Sequence, residues 1–477
     1  MNFNKQINFL RFLTTRLPVS IIQNCILMPL YRKLGPEEVL ESVLYFINNS
    51  RHLKSPHHTN LYVHVPFCKE SCYYCHCSRC VLKDPGDIIK YRDSLIKQME
   101  FYSPFFKDIT MSSLYFGGGT PSLLDTDTLN DIFEAIFRNF RFRKKTQINF
   151  EAHPSSLTLD KIKLLKHYGV NRISLGVQTL DKTVLKEINR IQDEKMVFQA
   201  IKNIQKLNFS YINVDLIAGL PKQTTEIFIK DLRKIITCKP DVIHINPLSD
   251  ISFSLYYKIR GLPNMKKIFT RRKEMVATAK KILLSKGYSL IDFEAFGLTR
   301  KAKNYQQFYS LAQAGTILGL GPYSNTILFD KVVYKALPSP RDLFKLHFYG
   351  YPINKRYNMS QFIILNLLNG FSNKKFKKIF RINITDVFKG ELGFLKNNSI
   401  ISNNGNFFKY CGDWKMESLF DYFSFTKIFY GQYILSELKK KYRITYNPSH
   451  KYNFRQDSFK KKMEDPFFLL TVDKAGF

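Results

Sequence analysis

The stretch Tyr62-Val-His-Val-Pro-Phe-Cys68-Lys-Glu-Ser-Cys72-Tyr-Tyr-Cys75-His-Cys77 runs from an extended apolar segment directly into a cluster of thiols. Three cysteines, Cys68, Cys72 and Cys75, have the spacing C-x-x-x-C-x-x-C. They lie too close in a tight loop for disulfides, but they can fold round one inorganic cluster. Zinc would require further ligands, and no second C-x-x-C pair follows. Three thiolates suit a 4Fe-4S cluster with one open iron, and the alternative is a loop of reduced thiols without a cofactor.

This loop, placed after a strand, is the signature of the radical S-adenosylmethionine (SAM) superfamily, in which the SAM amino and carboxylate groups occupy the fourth iron. The stretch from Tyr62 to Cys77 resembles the oxygen-independent coproporphyrinogen III oxidases and their relatives. The resembling features are the tyrosine six residues before the first ligand and the extra cysteine two residues after the last. The resemblance implies a 4Fe-4S cluster on Cys68, Cys72 and Cys75, with one SAM molecule or two.

The composition describes a folded chain of more than one unit. It has 477 residues, 44% of them hydrophobic, which is too long for one ordinary core. Its 8 cysteines are not spaced as a disulfide scaffold, so we expect a reducing, cytoplasmic location. The formal charge of +34 fits nucleic acid, an anionic membrane or a polyanionic substrate, or a general bias towards lysine. Since no nucleic-acid-binding motif accompanies the charge, we expect no nucleic-acid partner.

Basic residues precede an apolar run, Leu17 to Leu30, near the N-terminus. The run is too short and too interrupted to span a bilayer. It predicts a helical arm that packs on the main domain, without stable membrane insertion. A helix lying on a membrane surface is the alternative.

From residue 61 onward, short β-rich runs alternate with segments of helical period, which predicts repeated βα units. Six strands are predicted, at residues 61–66, 113–116, 147–151, 172–176, 211–217 and 242–246. The predicted fold class is α/β: a partial (β/α)6 TIM-like radical SAM barrel with a small, mainly helical C-terminal domain. The predicted units are an N-terminal helical arm at 1–57, the barrel at 58–337, the C-terminal domain at 338–438 and a basic tail at 439–477.

A run of glycines, Gly117-Gly118-Gly119-Thr120, follows the second predicted strand. Glycine allows the backbone to approach a ligand closely, although such a run can also be an ordinary tight turn. One βα unit after the cysteine loop, it resembles the superfamily motif that receives the SAM amino group. The resemblance therefore assigns Gly118 to SAM.

Glu151 ends the third predicted strand, where a carboxylate can accept hydrogen bonds from ribose hydroxyls. It could also be a helix N-terminal charge or part of a surface salt bridge. The resemblance favours the ribose role, and it places Tyr62 against the same SAM. The tyrosine ring could equally serve strand packing.

A second group of positions matches residues that line a second SAM site or the substrate pocket in the family. The group consists of Tyr74, Gly119, Thr120, Gln178, Arg190 and Asp215. The acidic and basic members could instead form a structural ion pair across the barrel mouth. Cys77 is the candidate catalytic residue, as a redox or proton-donating thiol, or it is an inert neighbour.

The resemblance implies radical SAM oxidoreductase activity of the coproporphyrinogen dehydrogenase type, in porphyrin and haem biosynthesis. In that chemistry a 5'-deoxyadenosyl radical takes hydrogen from a propionate chain, and loss of carbon dioxide and a further electron leaves a vinyl group. The implied partners are a tetrapyrrole or other small-molecule substrate and an electron donor such as a flavodoxin or ferredoxin, with the chain as a monomer.

Two alternatives remain open at this point. One is a radical SAM methyltransferase of the same family acting on a heteroaromatic substrate. The other is a haem-binding chaperone, to which Pro247-Leu248 is similar, whereas Cys77 and Asn304-Tyr-Gln306 favour the oxidase.

Overall fold

The computed structural model describes most of the chain between residues 32 and 410. The described residues are 32–50, 58–75, 77–248, 256, 265–291, 294–298, 315–339, 342–367, 370–397, 401–404 and 406–410. The apolar run at 17–30, the 304–306 stretch and the tail at 439–477 lie outside them.

The strands are numbered here in chain order. They are β1 (Arg32–Leu34), β2 (Thr59–Val65), β3 (Phe67–Cys68), β4 (Cys80–Val81), β5 (Thr110–Gly118), β6 (Arg141–Ala152), β7 (Arg172–Gln178), β8 (Tyr211–Ala218), β9 (Val242–Pro247), β10 (Ser289–Leu290), β11 (Ala295–Gly297), β12 (Thr316–Leu320), β13 (Asn325–Leu328), β14 (Val332–Ser339), β15 (Asp342–Pro352), β16 (Phe371–Ser372), β17 (Ile401–Asn404) and β18 (Phe407–Tyr410).

The helices alternate with these strands in the first two thirds of the chain and cluster near its described end. They are Pro36–Ser50, Gly86–Phe106, Thr126–Asn139, Leu159–His167, Lys182–Glu187, Glu194–Lys206, Thr225–Thr237, Met265–Ser285, Lys355–Asn366, Asn373–Phe380 and Ile384–Asn397.

A parallel sheet forms the centre of the molecule. The strands β2, β5, β6, β7, β8 and β9 lie side by side in chain order, each parallel to the next. These are the six predicted strands, so the predicted α/β fold is confirmed. A seventh parallel strand, β12, pairs with β2 on its other side.

Antiparallel strands extend the sheet at both ends, giving thirteen strands in all. The pair β11–β10 continues it beyond β9, and β13, β14, β15 and β1 continue it beyond β12. Because β14 and β15 run to Pro352, the sheet continues past residue 337. The division of the chain into units stays a prediction.

The core lies between the parallel strands and their helices. Along β7, Ile173, Leu175 and Val177 are fully buried, and they alternate with residues of the opposite face. On that opposite face polar side chains contact one another across strands, for example Ser174 Oγ, which donates to Asn149 Oδ1 at 3.0 Å. The strands therefore present apolar residues to the helices and a polar face to the barrel interior.

Several crossover helices begin where the sequence supplies an N-cap. The side chains of Asp125, Thr158, Asp193 and Thr224 accept a hydrogen bond from the backbone N–H three residues later. These caps fix where each helix starts after the loop at the carboxyl end of a strand.

A smaller unit with its own core follows β15. It contains the last three helices and the short sheet β16-β18-β17. Phe362, Phe371, Phe376 and Phe380 fill its interior. This unit is small and mainly helical, as the predicted fold class has it, and β17 and β18 form a hairpin within it. The predicted domain bounds, 338–438, stay a prediction. None of the helices in the described part of the chain has the length and apolar character needed to cross a membrane.

Candidate functional site

The predicted site residues lie at the carboxyl edge of the parallel sheet and in the loops that leave it. Register places Val65 beside Gly118, and Gly176 beside Asp215. Parallel strands bring their carboxyl ends to one edge, so residues far apart in sequence meet there. Most of the site can therefore be built from β2, β5, β6, β7 and β8.

The cysteine loop leaves the end of β2 and is closed at its base. Two short strands, β3 and β4, pair in parallel and hold the segments before and after the thiols together. Cys68 and Cys72 are buried, Cys75 is half-buried and Cys77 is exposed. The Cys75 N–H donates to the Cys72 carbonyl at 3.1 Å, which turns the chain within the loop.

Burial favours the protonated form of the thiols in this loop. It raises the pKa of Cys68 to about 12, although the Thr120 hydroxyl donates to the Cys68 sulfur at 3.4 Å and opposes the shift. Burial also raises the pKa of Cys72, against the opposing charge of Arg190, whose guanidinium lies 3.8 Å from the sulfur. Metal binding would therefore displace protons from these thiols.

The donor set fits an iron–sulfur cluster better than a single ion. In the described part of the chain, no group of three or more His, Cys, Asp or Glu side chains is arranged to hold one metal ion. The ligands of a cluster need not converge on one point, because each thiolate binds a separate iron. Cys68, Cys72 and Cys75 share one closed loop, interact electrostatically and lie beside the guanidinium groups of Arg79 and Arg190. These residues fit a cluster with three thiolate ligands.

Arg79 spans the inside of the cysteine loop. Its two terminal nitrogens donate to the carbonyls of Cys72, Cys75 and Cys77 at 3.0–3.1 Å and to the Ser71 hydroxyl at 2.8 Å. Its Nε atom is buried without a hydrogen-bond partner among the described residues, which leaves one donor for a bound group.

Tyr62 and His64 tie β2 to the end of the loop. His64 Nε2 donates to the Ser78 carbonyl at 2.9 Å, since a carbonyl can only accept. His64 Nδ1 therefore accepts from the Tyr62 hydroxyl, also at 2.9 Å. Burial lowers the pKa of His64 to about 4, so this neutral arrangement persists at physiological pH.

The glycine run is packed against protein atoms at every position. A Cβ on Gly117 would lie 2.8 Å from the Tyr115 ring, and one on Gly118 would lie 2.7 Å from the His64 ring. A Cβ on Gly119 would lie 2.5 Å from the Phe67 carbonyl oxygen. Contact between the loop and β2 therefore accounts for these glycines, and the assignment of Gly118 and Gly119 to SAM stays a prediction.

Glu151 points to the same edge from β6. The Tyr115 hydroxyl donates to its Oε1 at 2.6 Å. Burial raises the pKa of Glu151 to about 7, while this hydrogen bond and one from the Gly118 backbone oppose the shift. The structure thus places Tyr62, Gly118 and Glu151 on three adjacent strands.

Three members of the second predicted group, Tyr74, Gln178 and Asp215, lie near Arg190, whereas Gly119 and Thr120 contact Phe67 and Cys68. The Arg190 guanidinium donates to the Tyr74 hydroxyl at 3.2 Å, to Gln192 Oε1 at 3.0 Å and to the Gly176 carbonyl. It uses these partners and Cys72 rather than pairing directly with Asp215, whose Oδ1 accepts from Asn213 Nδ2 at 2.9 Å.

Gln178 occupies a strained position at the end of β7. Its φ of 67° lies in the left-handed region, next to a register shift in the pairing of β7 with β8. Its buried Oε1 makes no hydrogen bond to the described residues. Strain and an unpaired buried acceptor together are typical of a ligand-binding position.

The predicted catalytic thiol, Cys77, lies at the exposed side of the loop. A side-chain hydrogen bond with Cys75 raises its pKa. It lies beside Cys75, and its catalytic role stays a prediction.

Sequence reasoning missed two residues of this site, His64 and Arg79. His64 carried a usable signal, because it lies two residues after Tyr62 and so faces the same side of β2. Arg79 carried none, since its acceptors are backbone carbonyls that only the folded loop brings together.

Comparison with known proteins identifies the family to which the chain belongs. Residues 62–235 match the model of the Radical SAM superfamily. The oxygen-independent coproporphyrinogen III oxidase of Synechocystis is 30% identical over 343 residues, which cover 66% of this chain and 70% of that protein. The heme chaperone HemW of Lactococcus lactis is 35% identical over 239 residues, or 50% of this chain and 62% of that protein.

The solved structure of coproporphyrinogen III oxidase (HemN) from Escherichia coli has a similar fold. It superposes with a TM-score of 0.69 at 21% identity, covering 83% of this chain and 93% of that one. Against several other curated oxidases of the same name, the chain spans only about half of their length, 52%. The chain belongs to the radical SAM superfamily, in the family of oxygen-independent coproporphyrinogen III oxidases and their close relatives, and its cofactors are a 4Fe-4S cluster and S-adenosylmethionine.

Proposed function

We propose that this protein is an oxidoreductase of the coproporphyrinogen dehydrogenase type. It converts propionate side chains of a porphyrinogen to vinyl groups, with loss of carbon dioxide, in porphyrin biosynthesis. One observation carries the proposal: the thiol loop, Glu151 and the residues near Arg190 lie together at one edge of the sheet. The chain that has this arrangement is related to proteins named for this reaction.

In this proposal the chain's residues divide into two sets. Cys68, Cys72 and Cys75 hold the cluster, and Glu151 accepts hydrogen bonds from the ribose of SAM beside Gly118. When bound, the two cofactors supply one-electron reduction and removal of a hydrogen atom from an unactivated carbon. The protein holds the reacting groups in contact and excludes water from them.

The second set, Tyr74, Gln178, Arg190 and Asp215, together with Gly119 and Thr120, binds a second SAM or the substrate. Arg190 is suited to a carboxylate because it is a buried cation, and one of its five N–H groups is not used by Gln192, Tyr74, Cys72 and Gly176. Gln178 offers the buried acceptor that the fold leaves unused. The Arg190 cation fits a substrate carboxylate, whereas the Gln178 acceptor fits an N–H donor of the substrate or of SAM.

The reaction also needs redox partners. One electron leaves the propionate with the hydrogen atom, and a second must pass to an acceptor as carbon dioxide departs. We propose a flavodoxin or ferredoxin as the electron donor to the cluster, and a monomeric, cytoplasmic protein.

Glu151→Gln tests the SAM assignment directly. Above the Glu151 pKa of about 7, the substitution removes a charge-assisted hydrogen bond worth about 1.5 kcal/mol or more, so SAM affinity at about pH 8 falls by about tenfold. Equilibrium dialysis of the anaerobically reconstituted protein measures the affinity. The matched control is Glu134→Gln, whose side chain is exposed on the helix Thr126–Asn139. Equal affinity in both variants contradicts the ribose role.

The activity is tested by reducing the reconstituted protein and adding SAM and coproporphyrinogen III. Formation of 5'-deoxyadenosine in proportion to vinyl products supports the oxidase. Deoxyadenosine without vinyl products, or S-adenosylhomocysteine in its place, contradicts the substrate assignment.

A haem-binding chaperone is the second candidate, favoured by the 35% identity to the HemW protein of Lactococcus lactis. It predicts stable haem binding by the reconstituted protein without turnover of coproporphyrinogen III. Absorbance titration with haem measures this in the same preparation.

A further inference from the structure

The cysteine loop depends on a single side chain for much of its internal hydrogen bonding. Between Glu70 and Arg79 the described residues form no helix or strand, so their carbonyls lack the partners that regular structure provides. Arg79 supplies partners to the carbonyls of Cys72, Cys75 and Cys77, and all four of its terminal N–H groups are used. The fork geometry of a guanidinium permits this, whereas a lysine ammonium is a compact point charge.

Arg79 is itself held in place by the segment that contains it. The neighbouring Ser78 accepts from His64 Nε2 through its carbonyl and from Lys335 Nζ through its hydroxyl, at 2.9 and 2.8 Å. The Cys80 N–H donates to the Pro66 carbonyl at 2.8 Å. The residues on either side of Arg79 are therefore held by His64 of β2, by Pro66 and by Lys335 of β14.

The same guanidinium is a fixed positive charge among the thiols. It interacts electrostatically with Cys75, Cys68, Cys77 and Cys72. A cation at this position favours the more negative, reduced form of any cluster that these residues hold.

We propose that Arg79 is a positioning residue of the cluster site, which sets the shape of the cysteine loop and stabilises the reduced cluster by its charge. The proposal rests on the proposed function for the presence of a reducible cluster, but not for the identity of the substrate. Its test therefore uses no substrate and is independent of whether coproporphyrinogen is turned over.

Two substitutions separate the two parts of this role. Arg79→Gln removes the charge and most of the donors, and Arg79→Lys keeps the charge but not the fork. Arg138→Gln is the matched control, since its side chain is exposed on the helix Thr126–Asn139. Each full-length variant is reconstituted anaerobically with iron and sulfide. Iron and sulfide per chain, the midpoint potential and the electron paramagnetic resonance spectrum of the reduced form are then measured.

We expect the affinity of Arg79→Gln for the cluster to fall by about tenfold or more, the usual effect of losing a partner of metal ligands. Its midpoint potential should fall below that of the wild type, because the reduced state loses a nearby cation. Arg79→Lys should lose cluster but keep a potential closer to the wild-type value.

Thermal unfolding of the metal-free variants controls for folding. Wild-type cluster content and potential in Arg79→Gln would overturn the proposal. So would a loss of thermal stability in both Arg79 variants with an unchanged potential and spectrum, because that result describes a purely structural side chain.

Discussion

Asp215 shows how the barrel interior controls the charge of one residue. Burial raises its pKa to about 6, although the hydrogen bond from Asn213 and the charges of Arg172 and Arg190 oppose the shift. His244 Nδ1 lies 4.0 Å from the Asp215 carboxylate, but burial lowers the pKa of His244 to about 3. At neutral pH the carboxylate is therefore charged beside a neutral imidazole, and the pair is not a salt bridge.

Because of this raised pKa, Asp215 should lower the free energy of unfolding at neutral pH but not at acidic pH. The pKa of Asp215 is higher in the folded chain, about 6, than in the unfolded chain, near 3.8. Its contribution to the stability of the fold is therefore fully present below pH 3.8 and is lost as the pH rises through about 6. Asp215→Asn removes this loss. The variant should be more stable than the wild type above pH 6 by on the order of 2 kcal/mol, with little difference near pH 4.

Urea unfolding of the metal-free protein at several pH values measures this difference. Asp160→Asn is the matched control, because the Asp160 side chain is 81% exposed and its charge stays solvated. A wild-type stability that rises with pH relative to Asp215→Asn would show that the carboxylate is stabilised, and would contradict the argument.

Residues that carry chemistry in their own identity could be predicted from the sequence. The spacing of Cys68, Cys72 and Cys75 indicated that they share one loop, and the apolar runs before Glu151 and Asp215 indicated that both lie at the carboxyl ends of strands. Their functional roles stay predictions. The roles of His64 and Arg79 could not be predicted, because their partners are backbone atoms and distant side chains that only the folded sheet brings into range.

At the scale of elements, loops that leave the carboxyl ends of adjacent parallel strands lie next to one another. The six parallel strands were predictable because each is a short apolar run followed by a helix-length segment. The antiparallel extension was not, since the predicted barrel ended at residue 337, directly before Pro338. In the structure Pro338 lies in β14 next to a register shift, a position where a strand tolerates proline.

At the junction between β2 and the glycine run, we expect a single added methyl group to lower the free energy of unfolding markedly. Gly118 has a φ of 111°, and an added Cβ would also meet the His64 ring at 2.7 Å. Gly118→Ala should therefore cost both backbone strain and a clash, about 2 kcal/mol or more of unfolding free energy. It should also displace His64 from Ser78 and loosen the cysteine loop.

Comparison with Gly169→Ala separates the cost of backbone strain from the cost of the clash with His64. Gly169 has a φ of 75° but no atom within 4 Å of the added Cβ, so only the backbone strain of about 1 kcal/mol applies. Chemical denaturation of both variants measures the difference. If both variants lost the same free energy of unfolding, the His64 ring would have moved away from the added methyl group without cost. The close packing of this junction would then not contribute to stability.

At the scale of the whole molecule, the described chain has two large hydrophobic cores. One lies between the main sheet and its helices, and the other lies within residues 355–410. Phe329 packs against both. This arrangement predicts that the smaller core can be weakened while the sheet and its site remain folded.

Phe362→Ala tests this separation. Phe362 is fully buried, and its ring lies 5.2 Å from that of Phe371 and 5.7 Å from that of Phe380. The substitution should cost about 3–5 kcal/mol locally through lost burial and a cavity. Hydrogen exchange followed by mass spectrometry should then show faster exchange in residues 355–410 and unchanged protection in β2, β5, β6, β7 and β8.

Phe150→Ala is the matched control, since Phe150 is fully buried within the main sheet and packs on Phe116 at 5.4 Å. It should expose the parallel strands and lower the cluster content, because β6 carries Glu151 and supports the loop edge. If Phe362→Ala instead released the parallel strands as fully as Phe150→Ala does, the two cores would unfold as one cooperative unit. The C-terminal unit would then be a structural requirement of the site through Phe329, and not a separate attachment to it.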